Sequence, residues 1–283
     1  MQNRYPGTCQ TCSEHVPAGA GVVVRESGRW RAYCCEHEPR PDPPPPRGDH
    51  AGWHTTALAG YDCETSAPNP EEAFVVSAAL VDVQGQSHTW LVDPGEREIP
   101  AEAAAVHGIS TEYARAHGRP ATQVLGEISQ ALVDHLRAGR GLAVFNAPYD
   151  LVVLDRELRR ADLPTVREQL DGTVCPVIDP LVLDRGLDPY RRGRRNLESM
   201  CQHYGIALNG AHTATGDARA CVDLAVEIGA RYRDVAELAL PELHERQVEW
   251  ARAYARGRQE WLDRTRPGHG QTIDGTWPMP STT

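Results

Sequence analysis

The chain has 283 residues, of which 40% are hydrophobic and 24% charged, and a formal net charge of −10. That length suffices for one large or two modest domains with a real core, and the acidic balance excludes a coat or histone-like protein that binds by bulk positive charge. No apolar run approaches the ~20 residues of a membrane span and residues 1–12 carry no hydrophobic signal core, so a cytoplasmic protein with no membrane partner is expected.

Cys9-x-x-Cys12 is followed, after a glycine-containing segment, by Cys34-x-x-His37. Two close ligand pairs on tight turns can converge on one tetrahedral zinc ion, and so short a segment needs the metal as its core. Residues 21–24 and 29–33 read as a hairpin, so residues 1–38 are predicted to form a small zinc ribbon with a closed, structural site. Cys35 competes with Cys34, which is preferred because it restores the x-x spacing. Cys63, Cys175, Cys201 and Cys221 are scattered and read as small buried residues. Residues 39–50 are predicted to be a linker, the proline run over 38–47 being extended polyproline II.

An α/β pattern follows. Residues 58–61, 73–83 and 87–92 read as strands, with turns at 67–70 and 84–85. Helical periodicity covers 121–137, a buried-strand run covers 142–145, and a helix is expected from 148 to 160. A short strand at 174–178 precedes helices at 195–204 and 217–231. Three strands and then alternating helices and strands predict a mixed central sheet covered by helices. Residues 242–264 form a long helical stretch with Trp250, Tyr254 and Trp261 on one face. That stripe is expected to pack on the protein's own domain, with a dimer interface or a base-stacking platform as the other readings. The turn and aromatic of residues 272–277 are expected to dock as a flap.

The acids carry the chemistry. Asp62 and Glu64 lie two apart at the end of a strand, so both carboxylates point to one face. Asp150 opens a helix after another apolar strand, and Asp217 opens a third element near His212. Singly, each reads as a surface acid or helix cap. Together they hold too much negative charge to pack without cations, and hard divalent ions such as Mg²⁺ or Mn²⁺ resolve this. Two such ions suit an in-line phosphoryl displacement, and a histidine near them can take a proton from the attacking water.

Asp62-Cys-Glu64-Thr-Ser resembles the first motif (D-x-E-T-T/S) of the DnaQ-like, DEDDh 3′–5′ exonucleases of the RNase H-like superfamily. Asn146-Ala-Pro-Tyr-Asp150-Leu resembles the second, and His212-Thr-Ala-Thr-Gly-Asp217-Ala the third. His107-Gly-Ile-Ser110 is similar to the family's H-G-I-T/S segment. The resemblance spans residues 56–232, and the ordered combination is highly specific. It implies an RNase H-like α/β domain over 51–235, after the zinc module and before a helical extension at 236–283. It also implies that Asp62 bridges both ions, that Glu64 and Asp217 help hold the water-activating one, that Asp150 binds the second, and that His212 is the general base. The backbone around Thr65 contacts the 3′-terminal nucleotide in this pattern, and Asn146 is placed with it on the substrate side. Two departures affect the substrate pocket but no metal ligand: Ala67 stands where the family has glycine, and Phe145 where it often has histidine.

Arg191, Arg192, Arg194 and Arg195 form the densest basic cluster and are expected either to guide a phosphate backbone or to be a solvated loop. The function expected is metal-dependent release of nucleoside monophosphates from single-stranded 3′ ends, DNA favoured, with two Mg²⁺ or Mn²⁺ and one structural zinc. A polymerase or repair protein is the expected partner class. The alternatives are an exoribonuclease or oligoribonuclease on the same fold, because the ions see only phosphate, and an inactive binding module.

Overall fold

The computed structural model describes residues 2–26, 29–37 and 42–280. These fall into two compact units, one within Met1–Asp42 plus Arg191–Gly193, the other within Pro43–Tyr190 plus Arg194–Thr283. Residues 38–41 of the expected proline-rich linker lie outside the described residues.

In the first unit β1 (Gly7–Thr8) pairs antiparallel with β2 (His15–Val16), and β3 (Gly21–Glu26) with β4 (Arg29–Cys34). The hairpin register runs from Gly21 opposite Cys34 to Glu26 opposite Arg29, and a 3-10 turn over Cys35–His37 follows. Cys9, Val16 and Tyr33 are the hydrophobic residues buried here. So small a core cannot offset the conformational entropy of the segment, which puts the weight on the cysteines.

The second unit is built on β5 (Leu58–Thr65), β6 (Val75–Asp82) and β7 (Ser87–Asp93), joined as antiparallel neighbours. Helices α1 (Ala101–His107) and α2 (Thr111–His117) lead through β8 (Arg119–Pro120) into α3 (Ala121–Arg137). Then come β9 (Gly141–Ala143), α4 (Ala147–Arg160), α5 (Val166–Gln169), β10 (Val177–Ile178) and α6 (Pro180–Leu187). The chain ends in α7 (Leu197–Tyr204), α8 (Ala214–Arg231), α9 (Arg233–Ala236) and α10 (Leu240–Thr265). The sheet order is β10-β9-β5-β6-β7-β8, with β9 and β10 parallel to the central β5. Tyr61 and Cys63 pack with α3 and α4 on one face, while Leu58 packs with α6 and α8 on the other. A strand covered by helices on both sides must be apolar throughout, which is why acids appear only at the end of β5.

Several boundaries moved from the sequence reading. The run 142–145 is a strand only to Ala143, because Asn146 turns left-handed (φ 58) ahead of α4. The run 174–178 shortens to Val177–Ile178, since Pro176 has no N–H to give the ladder. Residues 43–50 are not a free spacer: Gly48 N–H donates to Ala230 O at 2.8 Å and Arg47 meets Glu227 at 2.5 Å. Trp277 and Met279 in the tail are each 5% exposed and join the core against α4 and α3. Of the α10 stripe, Trp250 packs on the domain. Tyr254 and Trp261 keep 43% and 37% exposure, with the Arg185 and Arg258 guanidinium groups over their rings. Among the described residues no helix is long and apolar enough to cross a membrane.

Candidate active site

Two close backbone approaches assemble the acids. A Cβ on Gly60 would lie 1.9 Å from Ala218 O, so only glycine lets β5 rest against the start of α8. A Cβ on Gly216 would lie 2.2 Å from Gly210 O, so the loop before α8 folds tightly over its first turn. Asp62 and Glu64 at the end of β5 are thereby brought to Asp217, with carboxylate oxygens of all three within 4.8 Å of one another. The ladder shifts register between Glu64 and Thr65, a bulge that ends the strand beside the acids.

Asp150 comes from the first turn of α4 and is 5% exposed. It stands apart from that trio of mutually close ligand atoms and accepts from the Cys63 N–H at 3.0 Å and the Cys63 thiol at 3.2 Å. Cys63, read from sequence as an inert buried residue, is therefore the group that orients it. Ahead of α4, Asn146 and Ala147 donate their N–H groups to Asp179, which also N-caps α6 and accepts from the Trp277 indole at 3.2 Å. Asp179 is fully buried and escaped the sequence reading, although Asp-Pro at the start of an apolar helical run is an N-cap signal.

The electrostatics follow from crowding. Burial first, then Asp150, Asp217 and Glu64, push Asp62 well above the usual carboxylate range. Burial and Asp217 raise Glu64 to about 7, with His212 acting in the opposite direction. Asp150 also rises to about 7, through burial and against its two Cys63 hydrogen bonds. Burial raises Asp217, while the His212 charge and N–H hold it down. Glu64 Oε1 and Asp217 Oδ1 are buried with no hydrogen-bond partner. Buried carboxylate oxygens left unpaired among like charges are costly unless a cation completes the set. An all-oxygen set of this kind fits a hard divalent ion.

His212 sits in the left-handed region (φ 62), next to Thr213, the N-cap of α8. Asn146 and His212 are two of the five non-glycine residues with positive φ among those described, and such backbone strain concentrates at functional sites. His212 is exposed and lies at the acids' edge rather than in the cavity wall. The cavity is about 980 Å³ and is lined by Asp62, Glu64, Thr65, Asn146, Asp150 and Asp217, with Pro100, Ala103, Val106, Phe145 and Tyr149 as its apolar side. Thr65 Oγ1 meets the Tyr149 hydroxyl at 2.5 Å, so the ring fixes the turn after β5 that holds Ala67. His107 ends α1 on the same wall, its Nδ1 accepting from Ile109 N–H at 3.1 Å and its Nε2 unpartnered. A second cavity of about 410 Å³ shares Asn146, Tyr149 and Leu181 and is otherwise lined largely by α10 and the tail.

The arginine cluster divides. Arg195, just ahead of α7 rather than inside it, lines the acid cavity and is anchored 2.7 Å from the fully buried Asp184, which also accepts from the Tyr204 hydroxyl. Arg191 and Arg192 fall in the first unit, and Arg194 is not among the cavity-lining residues.

In the first unit Cys9, Cys12, Cys34 and His37 place ligand atoms within 4.8 Å of one another, while Cys35 is exposed and outside the group. Cys12 Sγ lies 3.9 Å from Cys34 Sγ, and Cys34 Sγ lies 3.1 Å from His37 Nδ1.

The RNase T profile, described as an exonuclease, matches residues 60–225. The chain belongs to this exonuclease family. It carries a DnaQ-like 3′–5′ exonuclease domain on an RNase H-type fold. The DNA polymerase III subunit epsilon of Rickettsia conorii is 25% identical over 178 residues, covering 59% of this chain and 71% of that protein. The Haemophilus influenzae subunit epsilon is 29% identical over 131 residues, 46% of each chain. Escherichia coli exonuclease I, solved with a dT13 oligonucleotide, shares the fold at a TM-score of 0.54 and 18% identity, over 64% of this chain and 42% of its own. Exonuclease I of Methylocaldum szegediense superposes at 0.53 with 21% identity, over 74% and 45%. The chain thus spans less than half of the exonuclease I structures it resembles.

Proposed function

We propose that the protein removes nucleoside monophosphates from the 3′ ends of single-stranded DNA, using two divalent cations held by its four carboxylates. The observation that carries this is the pair of buried, unpartnered oxygens on Glu64 and Asp217 beside Asp62. Asp62, Glu64 and Asp217 would hold one cation, and Asp62 with Asp150 the second. The bound ions supply charge neutralisation for the acids and stabilise the phosphoryl oxygens in the transition state. His212, exposed at the edge of the acids, accepts the proton of the attacking water, the general-base role that histidine most often fills. Its left-handed backbone just before the α8 cap aims the side chain independently of the helix.

The residues around the cavity position the strand. The apolar side formed by Pro100, Ala103, Val106 and Phe145 takes the terminal sugar and base. The Thr65 backbone and Asn146 hold the 3′ nucleotide, and Arg195, braced by Asp184, faces a phosphate. DNA is favoured because the relatives are DNA polymerase III subunits and the structural neighbours include an exonuclease with bound oligodeoxynucleotide. The same relatives support a polymerase as partner. In the first unit, three thiols and an imidazole with no open position suit a structural zinc ion.

The test is purified enzyme with Mg²⁺ or Mn²⁺ on 5′-labelled single-stranded DNA and RNA. Laddering from the DNA 3′ end is expected. Laddering of RNA alone would replace DNA by RNA as substrate, and cleavage of neither would leave a binding module.

A further inference from the structure

Residues 1–42 carry five arginines and five acidic residues, so this segment is neutral within a chain of net charge −10. Two of its acids lie at the ligand end: Glu14 reaches to 3.8 Å from the Cys12 thiol, and Glu36 lies in the Cys35–His37 turn. The opposite face differs. On β4, Tyr33 turns into the small core with Cys9 and Val16, so Trp30 and Ala32 stand on the other side of the hairpin. There Trp30 is 60% exposed and Tyr5 81% exposed, although the module has few hydrophobic residues to bury. Both line one concavity of about 510 Å³ whose floor is Val23 and its cross-strand partner Ala32. Arg4 is the charged residue of its lining, and Arg31 reaches the lining residue Gln10 at 3.5 Å.

We propose that this face is a second nucleic-acid contact, which takes one or two bases of a single strand by stacking on Trp30 and Tyr5. Arg4, in the lining, lies where it can meet a backbone phosphate. Solvent-facing aromatic rings beside a guanidinium group are complementary to unstacked bases on a polyanion. A duplex keeps its bases stacked and offers these rings nothing. A peptide-docking groove would instead be expected to bury large aliphatic anchors, and the aliphatic lining here is Val23 with the small Pro6 and Ala32. This inference does not depend on the catalytic reading of the acid cavity.

The test uses the full chain, zinc-loaded, with Asp62→Ala to prevent turnover, and a 5′-labelled oligothymidylate of about 20 nucleotides followed by fluorescence anisotropy. Trp30→Ala with Tyr5→Ala should weaken binding about 5- to 100-fold, the range that one stacked base supplies. Both side chains are exposed, so an unchanged zinc content and circular dichroism spectrum will confirm that the module is intact. Arg4→Ala should lower the salt dependence of binding by about one phosphate contact. Unchanged affinity in the aromatic double variant, or a blunt duplex bound as tightly as the single strand, would overturn the proposal and leave a protein-docking face. The readout needs no cleavage, so failure of the exonuclease assay would not imitate failure here.

Discussion

The two ligand clusters of this protein are built in opposite ways. Cys9, Cys12, Cys34 and His37 lie within one short segment whose buried hydrophobic residues are Cys9, Val16 and Tyr33. The acids at 62, 64, 150 and 217 are drawn from β5, α4 and α8, elements rigidly packed around a large core. In the first, a bound metal would provide the stability that the core lacks. In the second, the core provides the stability that metal-free carboxylates spend in repulsion. Removing ions should therefore unfold one region and leave the other standing.

The sharpest way to break that contrast is substitution of the acids. Asp62→Ala should reduce cleavage by on the order of 10³-fold or more, about 4 kcal/mol of transition-state stabilisation. Thermal stability in chelator should stay the same or rise, because a crowded like charge is gone. Steady-state kinetics and calorimetry on one preparation check both halves. His212→Ala should cost about 10²- to 10⁴-fold in kcat with KM little changed. An equal loss in KM would point instead to substrate binding. In the other cluster, Cys34→Ser should remove one zinc per chain and expose residues 2–37 to protease. Cleavage of a short oligonucleotide should stay within about tenfold of the parent enzyme.

The sequence made the acids legible because each motif is local and spaced. Asp62 with Glu64, Asp150 after an apolar run, and Asp217 five residues past a histidine need no tertiary knowledge to notice. What brings them together was not legible in the same way. Gly60 looks like an ordinary strand glycine until α8 rests on it. Cys63 looks like packing until its N–H and thiol both serve Asp150. The four arginines read as one cluster because they are neighbours in sequence, and the fold sets Arg195, held by the buried Asp184, against the acid cavity. The short helices α1, α2 and α6 were missed, although Ser110 and Asp179 cap two of them.

A finer test of the contrast is pH. Glu64 and Asp150 each rise to about 7 in the folded protein, from ordinary values near 4 to 4.5. A carboxyl raised by folding favours the native state below its unfolded value, and that contribution fades as pH climbs towards the folded one. In chelator, the second unit should therefore lose stability from about pH 4 to about pH 7, by several degrees in Tm. Adding Mg²⁺ should restore it mainly at the upper end, where the acids are ionised. A melting temperature flat across that range in chelator would contradict the crowding. The smallest effect expected is that of Tyr149→Phe, which removes the hydroxyl at Thr65 and should slow cleavage by about two- to tenfold, the value of one ordinary hydrogen bond.

The most direct measurement is anomalous diffraction from crystals of the protein soaked in Mn²⁺. The carboxylate account predicts an anomalous peak among Asp62, Glu64 and Asp217, lost in the Asp62→Ala protein. Well-ordered carboxylates in the soaked crystal with no peak among them, while the enzyme cleaves its substrate in Mn²⁺, would contradict it.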